Sequence, residues 1–370
     1  MLSLTSAHSF LLATSLNLIA APADTNSPAH IAARQFARGA NCGNYLEVPP
    51  RQSWAVRHTT NDLARMRAEG FDHVRIPVGW HHYTGPAPKF QLSQEIFAKL
   101  DPLVTNALAM GLNVLINIHH FDAFTSDPDK HTNQFYAIWR QVAQHYARAP
   151  AGLAFELLNE PKDKATTIVM NPIYSQTITQ IRKTNPKRTI FVGPGRWNQV
   201  TELPNLQLPE DDRNIIVTIH SYDPFYFTHQ GASWTKPQTD TKGIIFPGPP
   251  KLPLEPAPTV VSNKGVVSWI KEYNTEPSEK NPSSTRAFAE KLRTARDWGE
   301  QHGRPIHIGE FGCYTSADPE SRARYYAEFR RAAEREGIGW AIWDWKAGFK
   351  YWDEKRGQPM SGMHGALFDR

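Results

Sequence analysis

From Phe36 onward, short runs of apolar residues alternate with longer stretches in which apolar residues recur every three or four positions. The short runs have the length of β-strands, and the longer stretches have the period of amphipathic helices. Such an alternation predicts parallel strands that are joined by crossover helices. The predicted strands lie near residues 36–41, 73–76, 113–118, 153–158, 189–192, 215–219, 306–309 and 339–343.

Eight strand–helix units predict an α/β fold in which the sheet closes into a (β/α)₈ TIM barrel, with functional side chains at the carboxyl ends of the strands. Several strands are preceded by a glycine that can adopt positive φ and end the preceding helix. These glycines are Gly70, Gly111, Gly303 and Gly337. Little sequence follows the last strand, so we predict that the final helix is short or irregular.

The helix that precedes the third strand has one apolar face. The residues at helical spacing are Ile96, Phe97, Leu100, Leu103, Val104, Ala107 and Leu108. Asp101 and Pro102 lie within this stretch. We predict that they interrupt it, as the N-cap and the first residue of its regular part.

The connection after the sixth strand is much longer than the others. It runs from Tyr222 to a helix that begins near Thr285, and it is rich in proline, with the sequence Phe-Pro-Gly-Pro-Pro at 246–250. We place the insertion at about residues 235–284. Loops of this length in compact domains are usually functional. We therefore interpret the insertion as a wall or cover of a cleft; a solvated surface insertion is the alternative for its proline-rich middle.

Length and charge agree with one globular domain and exclude some partners. The chain has 370 residues, which suits a single barrel with an insertion. Lys and Arg number 41 against 36 Asp and Glu, and no basic block indicates nucleic-acid binding. Beyond the N-terminal region, no segment approaches the ~18 apolar residues of a membrane helix. We expect no nucleic-acid or membrane partner, and we expect a monomer.

Residues 1–33 differ from the rest of the chain. An apolar stretch at 9–20 is followed by Ala-Pro-Ala at 21–23, which has the small-x-small pattern of a signal-peptide cleavage site. We predict that residues 1–33 are a signal peptide or leader, that 34–370 form the barrel domain, and that the protein is secreted or periplasmic. No Lys or Arg precedes the apolar stretch, so a disordered leader is the alternative.

The two cysteines, Cys42 and Cys313, lack the spacing of a metal site. Both follow predicted strands at the same end of the barrel, so a disulfide between them is one alternative. We favour the other alternative, which is two free thiols.

Two segments that are far apart in the sequence have the same pattern. Each is an apolar run of strand length that ends at a glutamate, with Asn-Glu-Pro at 159–161 and Gly-Glu-Phe-Gly at 309–312. If both runs are strands of one barrel, Glu160 and Glu310 face each other across a cleft. Paired carboxyl groups cleave glycosidic bonds, and in retaining enzymes they lie ~5–5.5 Å apart, one as nucleophile and the other as acid and base. Two unrelated surface glutamates are the alternative.

The two glutamates need opposite pKa behaviour, because one must be ionised while the other holds a proton. Arg75, at the end of the second strand, can reach the barrel mouth and keep Glu310 ionised. Glu160 is then expected to hold its proton longer, in a site lined by aromatic residues. Glu156 competes for Arg75, but strand alternation puts it deeper, so we interpret it as a buried structural carboxylate.

Histidines, a tyrosine and a tryptophan follow strands at the same rim. His119 and His120 end the third strand, His220 and Tyr222 end the sixth, and Trp343 ends the eighth. Their polar groups can hold sugar hydroxyls or position the carboxylates. The indole can stack on the apolar face of a sugar ring.

A histidine-rich rim can also hold a catalytic metal ion, which would make the protein a metal-dependent hydrolase. However, His119 and His120 are adjacent, so a regular strand projects them to opposite sides. The chain also contains no His-x-His or His-Glu-x-x-His motif. We therefore predict no metal.

With these residues assembled, the chain resembles glycoside hydrolase family 5, a large family of β/α barrels that includes cellulases and mannanases. The resemblance runs from about Phe36 to the C-terminus and rests on the two glutamate motifs, the histidines, Arg75 and Trp343. More narrowly, the sequences at 43–47, 116–120 and 224–234 resemble a thermophilic bacterial branch of endoglucanases that act on glucan and mannan.

The resemblance implies a role for individual residues. Glu160 would be the acid/base and Glu310 the nucleophile, while Asn159 would bind the sugar 2-hydroxyl and Tyr222 would hydrogen-bond the nucleophile. The implied sugar subsites are lined by Asn44, Glu47, His119, His120, His220, His229, Trp234 and Trp343. No cofactor is implied.

These inferences lead to one hypothesis, a retaining endo-β-1,4-glycanase that hydrolyses a β-linked poly- or oligosaccharide by double displacement. The polymer, whether glucan, mannan or a mixture, stays open, because the insertion is longer than in that branch and 344–346 reads Asp-Trp-Lys. A non-catalytic sugar-binding barrel is the alternative from another class. A metal-dependent hydrolase on the same fold is the third hypothesis.

Overall fold

The computed structural model describes residues 25–369, and in this part of the chain eight parallel strands close into a barrel. Each strand pairs with the next one in sequence, and the eighth pairs with the first. The strands are β1 (Arg38–Asn41), β2 (His73–Ile76), β3 (Asn113–Asn117), β4 (Leu153–Glu156), β5 (Ile190–Val192), β6 (Ile215–His220), β7 (Ile306–Phe311) and β8 (Gly339–Ile342). The predicted TIM barrel is confirmed, because every predicted strand is present.

Helices surround the barrel and connect its strands. They are α1 (Pro28–Ala33), α2 (Thr60–Glu69), α3 (Gln94–Ala109), α4 (Asp122–Ser126), α5 (Pro128–His145), α6 (Thr167–Arg182), α7 (Gly195–Asn198), α8 (Phe225–Thr228), α9 (Lys264–Thr275), α10 (Arg286–His302), α11 (Pro319–Arg335) and α12 (Met363–Phe368). Two short strands, β9 (Trp352–Asp353) and β10 (Gln358–Pro359), pair in antiparallel fashion near the C-terminus. The final helix has six residues, which confirms that it is short.

The glycines predicted to end helices have the expected conformation. Gly70 has φ of 107° and follows α2, and Gly303 has φ of 60° and follows α10. Gly111 and Gly337 also have positive φ. A side chain would be strained in this backbone conformation, so glycine fixes where each helix stops and the next strand begins.

The predicted interruption of α3 is wrong. The helix begins after Ser93, whose hydroxyl accepts a hydrogen bond from the backbone N–H of Glu95, and it continues through Pro102. Proline cannot donate a hydrogen bond to the carbonyl of Ala98. Both residues lie on the exposed face, where water can bond to that carbonyl. Burial of the opposite, apolar face therefore keeps the helix continuous.

The insertion is folded and packs on the outside of the barrel. It contains α9 and a short 3₁₀ turn, Pro258–Val260. The Phe246 ring contacts the rings of Phe227 and Tyr325, which belong to the segment after β6 and to α11. Gln230 joins the segment after β6 to the insertion. Its side-chain oxygen accepts hydrogen bonds from the backbone N–H groups of Gly243 and Ile244 at 2.8 and 3.1 Å. The insertion thus holds the segment after β6 in place.

Helix α1 closes the amino-terminal end of the barrel. Ala29 is 1% exposed, and its backbone N–H donates to the carbonyl of Arg213 just before β6. Its cluster of buried neighbours consists of Phe36, Leu115, Ala154, Phe191 and Ile216. Packed structure therefore begins before residue 34, where we predicted the start of the barrel domain. The apolar stretch and cleavage pattern of the predicted signal peptide lie outside the described residues.

Cys42 and Cys313 are both buried free thiols, so the unbonded alternative is confirmed. Burial raises the pKa of the Cys313 thiol to about 12, which makes it unreactive at neutral pH. Between residues 25 and 369, none of the helices combines the length and apolar character needed to cross a membrane.

Candidate active site

The two predicted glutamates meet at the carboxyl ends of the strands. Glu160 follows β4, and Glu310 is the last residue but one of β7. One carboxylate oxygen of each glutamate and one ring nitrogen of His220 all lie within 4.8 Å of one another. This spacing agrees with the ~5–5.5 Å between the carboxyl groups of a retaining glycosidase.

A β-bulge aims Glu310 at the cleft. The register between β6 and β7 shifts, so that His220 is paired with Glu310. A bulge of this kind redirects a side chain at the end of a strand. Asn41 supports the bulge, because its side-chain N–H groups donate to the carbonyls of Gly309 and Ile342 at 3.0 and 3.1 Å.

Glu160 reaches the rim through a backbone turn rather than through continued strand alternation. Strand β4 ends at Glu156, and Glu160 has φ of 48°, in the left-handed region. Non-glycine residues adopt this conformation rarely, and such residues cluster at functional sites.

Arg75 lies at the centre of a polar network beneath the two glutamates. Its Nε and Nη2 donate to the two oxygens of Glu156 at 2.6 and 2.8 Å, and Nη1 donates to Glu310 Oε1 at 2.8 Å. The side-chain oxygens of Asn41 and Asn159 accept further hydrogen bonds from the same guanidinium, each at 2.7 Å. Glu156 is fully buried and paired, which agrees with its interpretation as a structural carboxylate.

The two glutamates have different hydrogen-bond donors. Glu310 receives the charged Nη1 of Arg75 and, at 2.7 Å, the hydroxyl of Tyr222. Glu160 Oε1 lies 2.8 Å from His220 Nδ1, and the same nitrogen lies 3.7 Å from Glu310 Oε2. Charge and hydrogen-bond donation favour the ionised form of Glu310 more strongly.

The expected opposite pKa shifts are not found. Burial raises the pKa of both Glu160 and Glu310, and in each case it outweighs the nearby positive groups that lower the pKa. The expectation was wrong because Arg75 is shared with Glu156 and therefore compensates Glu310 only in part. Glu160 and Glu310 therefore differ in the groups that donate hydrogen bonds to them, and not in the direction in which their pKa values are shifted.

His119 and His120 lie on the same side of the backbone, which corrects the prediction that they project to opposite sides. Their ring centroids are 4.1 Å apart. Strand β3 ends at Asn117, and His120 has φ of 48°, so strand alternation no longer applies. Burial lowers the pKa of both rings, which are neutral hydrogen-bonding groups at neutral pH.

Trp343 forms a wall of the cleft at the end of β8. Its indole is parallel to the ring of His119 with a centroid distance of 5.5 Å. It also lies against the backbone of Gly43, where a β-carbon would be only 2.8 Å from the indole. The next residue, Asp344, is buried and accepts backbone hydrogen bonds from Ala347 and Phe349. These contacts hold the indole in one orientation.

Asn44 and Glu47 lie in the segment that follows β1. The Glu47 carboxylate accepts hydrogen bonds from the backbone N–H groups of Asn44 and Tyr45. Burial raises the pKa of Glu47 to about 7. Glu47 is 6% exposed, so its carboxylate fixes the left-handed turn at Asn44, which is itself only partly buried.

His229 and Trp234 have different environments. His229 is 6% exposed and packs beneath Tyr222, with ring centroids 5.0 Å apart. Trp234 is 58% exposed and meets the ring of Tyr314 edge-on at 5.1 Å. His229 therefore positions Tyr222, whereas the face of Trp234 is free to contact a ligand.

Three contributors to the site were missed in the sequence. Asn41 orients Arg75, and the Phe349 ring packs against Tyr222 at 5.8 Å. Trp197 is 50% exposed, and its backbone N–H donates to the carbonyl of Pro161, next to Glu160. Trp197 could have been predicted from the sequence, because it is an aromatic residue shortly after the end of a strand.

Trp197 is held in an unusual turn. Arg196, Trp197 and Asn198 have φ of 51°, 60° and 57°, so α7 is a left-handed turn of three non-glycine residues. The hydroxyl of Thr167 accepts a hydrogen bond from the N–H of Gly195 and anchors the turn. Backbone strain of this kind persists only where the surroundings enforce it.

Glu160, His220 and Glu310 are also the one group of side chains in the described chain whose spacing could hold a metal ion. Glu160 is already hydrogen-bonded to His220, and Glu310 is already hydrogen-bonded to Arg75 and Tyr222. The Arg75 guanidinium also places a positive charge in contact with Glu310, at 2.8 Å.

Comparison with known proteins identifies the family. The model of the cellulase family, glycosyl hydrolase family 5, matches residues 37–348. Endoglucanase H of Acetivibrio thermocellus is 28% identical over 313 residues, which are 84% of this chain and 30% of that protein. Endoglucanase C of the same species is 27% identical over 341 residues, 88% of this chain and 96% of that protein. The chain thus spans about a third of the first relative and nearly all of the second.

The fold is shared with solved structures. Endoglucanase Cel5A from the hyperthermophilic Thermotoga maritima superposes with a TM-score of 0.80 at 31% identity, covering 92% of this chain and 100% of that chain. Other structures of that enzyme hold cellobiose or mannotriose. With a family match over most of its length and a barrel whose rim brings two glutamates together, this chain belongs to glycosyl hydrolase family 5, the cellulase family.

Proposed function

We propose that the protein is a retaining endo-β-1,4-glucanase that also accepts mannan or glucomannan. The observation that supports this proposal most directly is the pair of carboxylates, Glu160 and Glu310, with oxygens within 4.8 Å of each other. No room remains between them for the water that an inverting enzyme places on the far side of the sugar. The names of the relatives point to the same reaction.

In the first step, Glu310 attacks the anomeric carbon and forms a glycosyl ester. Glu160 gives its proton to the leaving glycosidic oxygen, so the bond to the departing chain breaks as the ester forms. Arg75 and Tyr222 hold the attacking carboxylate in place through hydrogen bonds of 2.8 and 2.7 Å. Burial raises the pKa of Glu160, which favours the protonated form that this step requires.

In the second step, Glu160 acts as the base. Its carboxylate takes a proton from a water molecule, the hydroxide oxygen bonds to the anomeric carbon, and the ester to Glu310 breaks. Both carboxyl groups return to their starting protonation states. The sugar keeps its original anomeric configuration because it is inverted twice.

Three tryptophans near the glutamates are suited to a polymer; Trp197 and Trp234 are exposed, and Trp343 is partly buried. Trp343 and Trp234 lie towards β8 and the segment after β6, and Trp197 lies beside Glu160 after β5. Flat indoles stack on pyranose rings without distinguishing glucose from mannose. The T. maritima enzyme has been solved with sugars of both kinds. We propose the same breadth for this chain, with His119, His120 and Asn159 as the groups that bind sugar hydroxyls.

The experiment that tests the reaction is analysis of the first products by NMR with β-glucan as substrate. Early appearance of the β-anomer supports double displacement, and early appearance of the α-anomer rejects it. Glu310→Ala and Glu160→Ala are each expected to lose at least ~10²- to 10⁴-fold in rate. Full turnover by either variant would reject the role of that residue.

The substrate is tested by reducing-end release from carboxymethylcellulose, barley glucan, glucomannan, galactomannan, xyloglucan and laminarin. Release from the β-1,4-linked glucans and from glucomannan, with internal cuts visible as a rapid fall in viscosity, supports the proposal. Binding of cello- or manno-oligosaccharides without any cleavage would instead favour a sugar-binding barrel.

We also propose that the protein is exported and acts as a monomer. A polymer that cannot cross a membrane must be met outside the cytoplasm, and residues 9–23 have a signal-peptide pattern. Sequencing the N-terminus of the protein recovered from the culture medium or periplasm tests export. Light scattering of the purified protein tests the oligomeric state.

A further inference from the structure

Two side chains of α11 bind the backbone of both segments that frame the sugar site. They are Arg322 and Tyr326, which lie one helical turn apart and are 2% and 0% exposed. One segment follows β7 and reaches Cys313 three residues after Glu310, and the other begins at Trp343 after β8. Helix α11 therefore contacts the segment of the nucleophile and the segment of the indole at the same time.

The Tyr326 hydroxyl lies where the two segments meet. It accepts a hydrogen bond from the backbone N–H of Cys313 at 3.1 Å, and it lies 3.4 Å from the carbonyl oxygens of Trp343 and Phe349, to which it can donate. The segments approach closely here because residue 312 is glycine. A β-carbon on Gly312 would overlap the Trp343 carbonyl oxygen and would lie 3.1 Å from the hydroxyl. One hydroxyl thus connects the backbone after the nucleophile with the backbone of the tryptophan.

The Arg322 guanidinium spans the same two segments one turn earlier in the helix. Its Nε donates to the carbonyl of Cys313 at 3.1 Å, and its Nη2 donates to the carbonyls of Phe349 and Lys350 at 2.8 and 3.1 Å. A guanidinium presents its N–H groups in a rigid fork, so it holds its acceptors at a fixed separation. Arg322 and Tyr326 together therefore fix the spacing of the two segments.

This spacing matters for the first chemical step. Trp343 is a wall on which a sugar ring can stack, so its indole decides where the anomeric carbon lies relative to Glu310. A misplacement of about 1 Å can cost about 10²-fold in rate. The direct backbone link, from the N–H of Trp343 to the carbonyl of Phe311 at 2.8 Å, fixes one point of this arrangement. The contacts from α11 fix the points beyond it.

We propose that Arg322 and Tyr326 are positioning residues, which hold the Trp343 indole in place relative to Glu310 through hydrogen bonds to the backbone of both segments. The inference rests on the proposed function, which gives Glu310 and Trp343 their roles.

The proposal is tested with Tyr326→Phe, which keeps the ring and removes the connecting hydroxyl. Tyr325→Phe is the matched control, because Tyr325 is the adjacent residue of α11 and is also 0% exposed. Its hydroxyl has no hydrogen-bond partner among the residues that the structure describes. The two variants therefore lose the same atom from neighbouring buried rings, and only one of them loses a link between the segments.

Each protein is treated with 2,4-dinitrophenyl 2-deoxy-2-fluoro-β-cellobioside. Its dinitrophenolate leaves as Glu310 forms the glycosyl ester, without a proton from Glu160. Mass spectrometry counts the labelled fraction, so a loss of folded protein is separated from slower chemistry at each site. In Tyr326→Phe we expect the rate constant of labelling at saturating reagent to fall about tenfold with little change in the half-saturating concentration, because the sugar still stacks on the indole but is misaligned. Tyr325→Phe should label at the rate of the wild type.

Arg322→Lys supplies a second variant, because it keeps the positive charge but loses the fork. We expect it to slow labelling in the same way as Tyr326→Phe. A rate constant per labelled site equal to that of the wild type would remove Arg322 from the proposal.

A double-mutant cycle tests whether Tyr326 acts through Trp343. In Trp343→Ala the backbone contacts of residue 343 remain but the indole is gone, so adding Tyr326→Phe should slow labelling by less than about twofold. A full tenfold loss in that background, or equal rates in Tyr326→Phe and Tyr325→Phe, overturns the proposal. A wild type that is not labelled and cleaves no β-glycan instead rejects the proposed function, and this inference with it.

Discussion

Two hydrogen-bond donors favour the ionised form of Glu310, although burial raises the pKa of this carboxyl group. The Tyr222 hydroxyl is the neutral one, at 2.7 Å, and burial keeps its own pKa well above the ordinary value, so it stays a donor. In Tyr222→Phe this donor is lost and the pKa of Glu310 rises further. We expect the acidic limb of kcat/KM to move up by about one pH unit. An acidic limb that stays in place would show that Arg75 alone sets the ionisation of the nucleophile.

Trp197 is expected to bind sugar on the side of Glu160. Replacing it with Ala removes an exposed indole from a turn that is fixed by its backbone. We expect KM for a polymer to rise about five- to tenfold, with little change in kcat on a short chromogenic glycoside. Arg196→Ala changes the neighbouring residue of the same turn and serves as the control, with KM near that of the wild type. Equal effects of the two substitutions would assign the loss to the turn rather than to the indole.

At the residue scale, apolar runs ending in glutamate predicted which carboxylates meet. The details of how they meet depend on backbone turns that the sequence pattern does not contain. Glu160 and His120 both have left-handed φ, and Glu310 is aimed by a bulge. For this reason the assignments by strand alternation failed at His119 and His120.

At the scale of secondary-structure elements, α1 closes the bottom of the barrel and should be essential for stability. Ala29→Asp places a charge without a partner among buried apolar residues and is expected to lower the free energy of unfolding by about 3 kcal/mol or more. Ile31→Asp, in the same helix but 48% exposed, should change it little. Denaturant unfolding of both variants measures the difference. Similar midpoints would show that α1 is not part of the cooperative unit.

Element boundaries were predicted well where a glycine or an apolar run defined them. Gly70, Gly111, Gly303 and Gly337 all have positive φ, and all eight strands were found. The continuous helix through Pro102 was not predicted, because packing of one face outweighed a local helix breaker. The fold of the insertion was not predicted either. Its contacts, such as Phe246 with Tyr325, join residues far apart in the chain.

At the scale of the whole molecule, buried histidines should set the response to acid. Burial lowers the pKa of six largely enclosed rings, namely His58, His81, His119, His220, His229 and His307. The unfolded chain, with ordinary pKa values near 6.5, binds protons before the folded protein does. The free energy of unfolding is therefore expected to fall as the pH drops below about 6.5.

Buried carboxyl groups act in the opposite direction but are fewer. The pKa of Glu47 is raised to about 7 and that of Asp344 to about 6, so these groups lower stability as the pH rises. Unfolding in urea at pH 4.5 to 7.5 measures the net slope. His229, with its pKa lowered to about 3, supplies the variant: His229→Phe should flatten the slope. A free energy of unfolding that rises towards pH 4.5 would contradict the conclusion that buried histidines set the response to acid.

The sequence by itself determined the barrel, the order of its strands and the two glutamates at its rim. Periodicity, glycine stops and strand-end motifs are local properties, and a closed parallel barrel places all strand ends together. Tertiary structure alone decided how Arg75 is divided between Glu156 and Glu310, which side His120 takes, and where Trp197 stands. These outcomes depend on burial and on contacts between residues distant in the chain, so no local pattern records them.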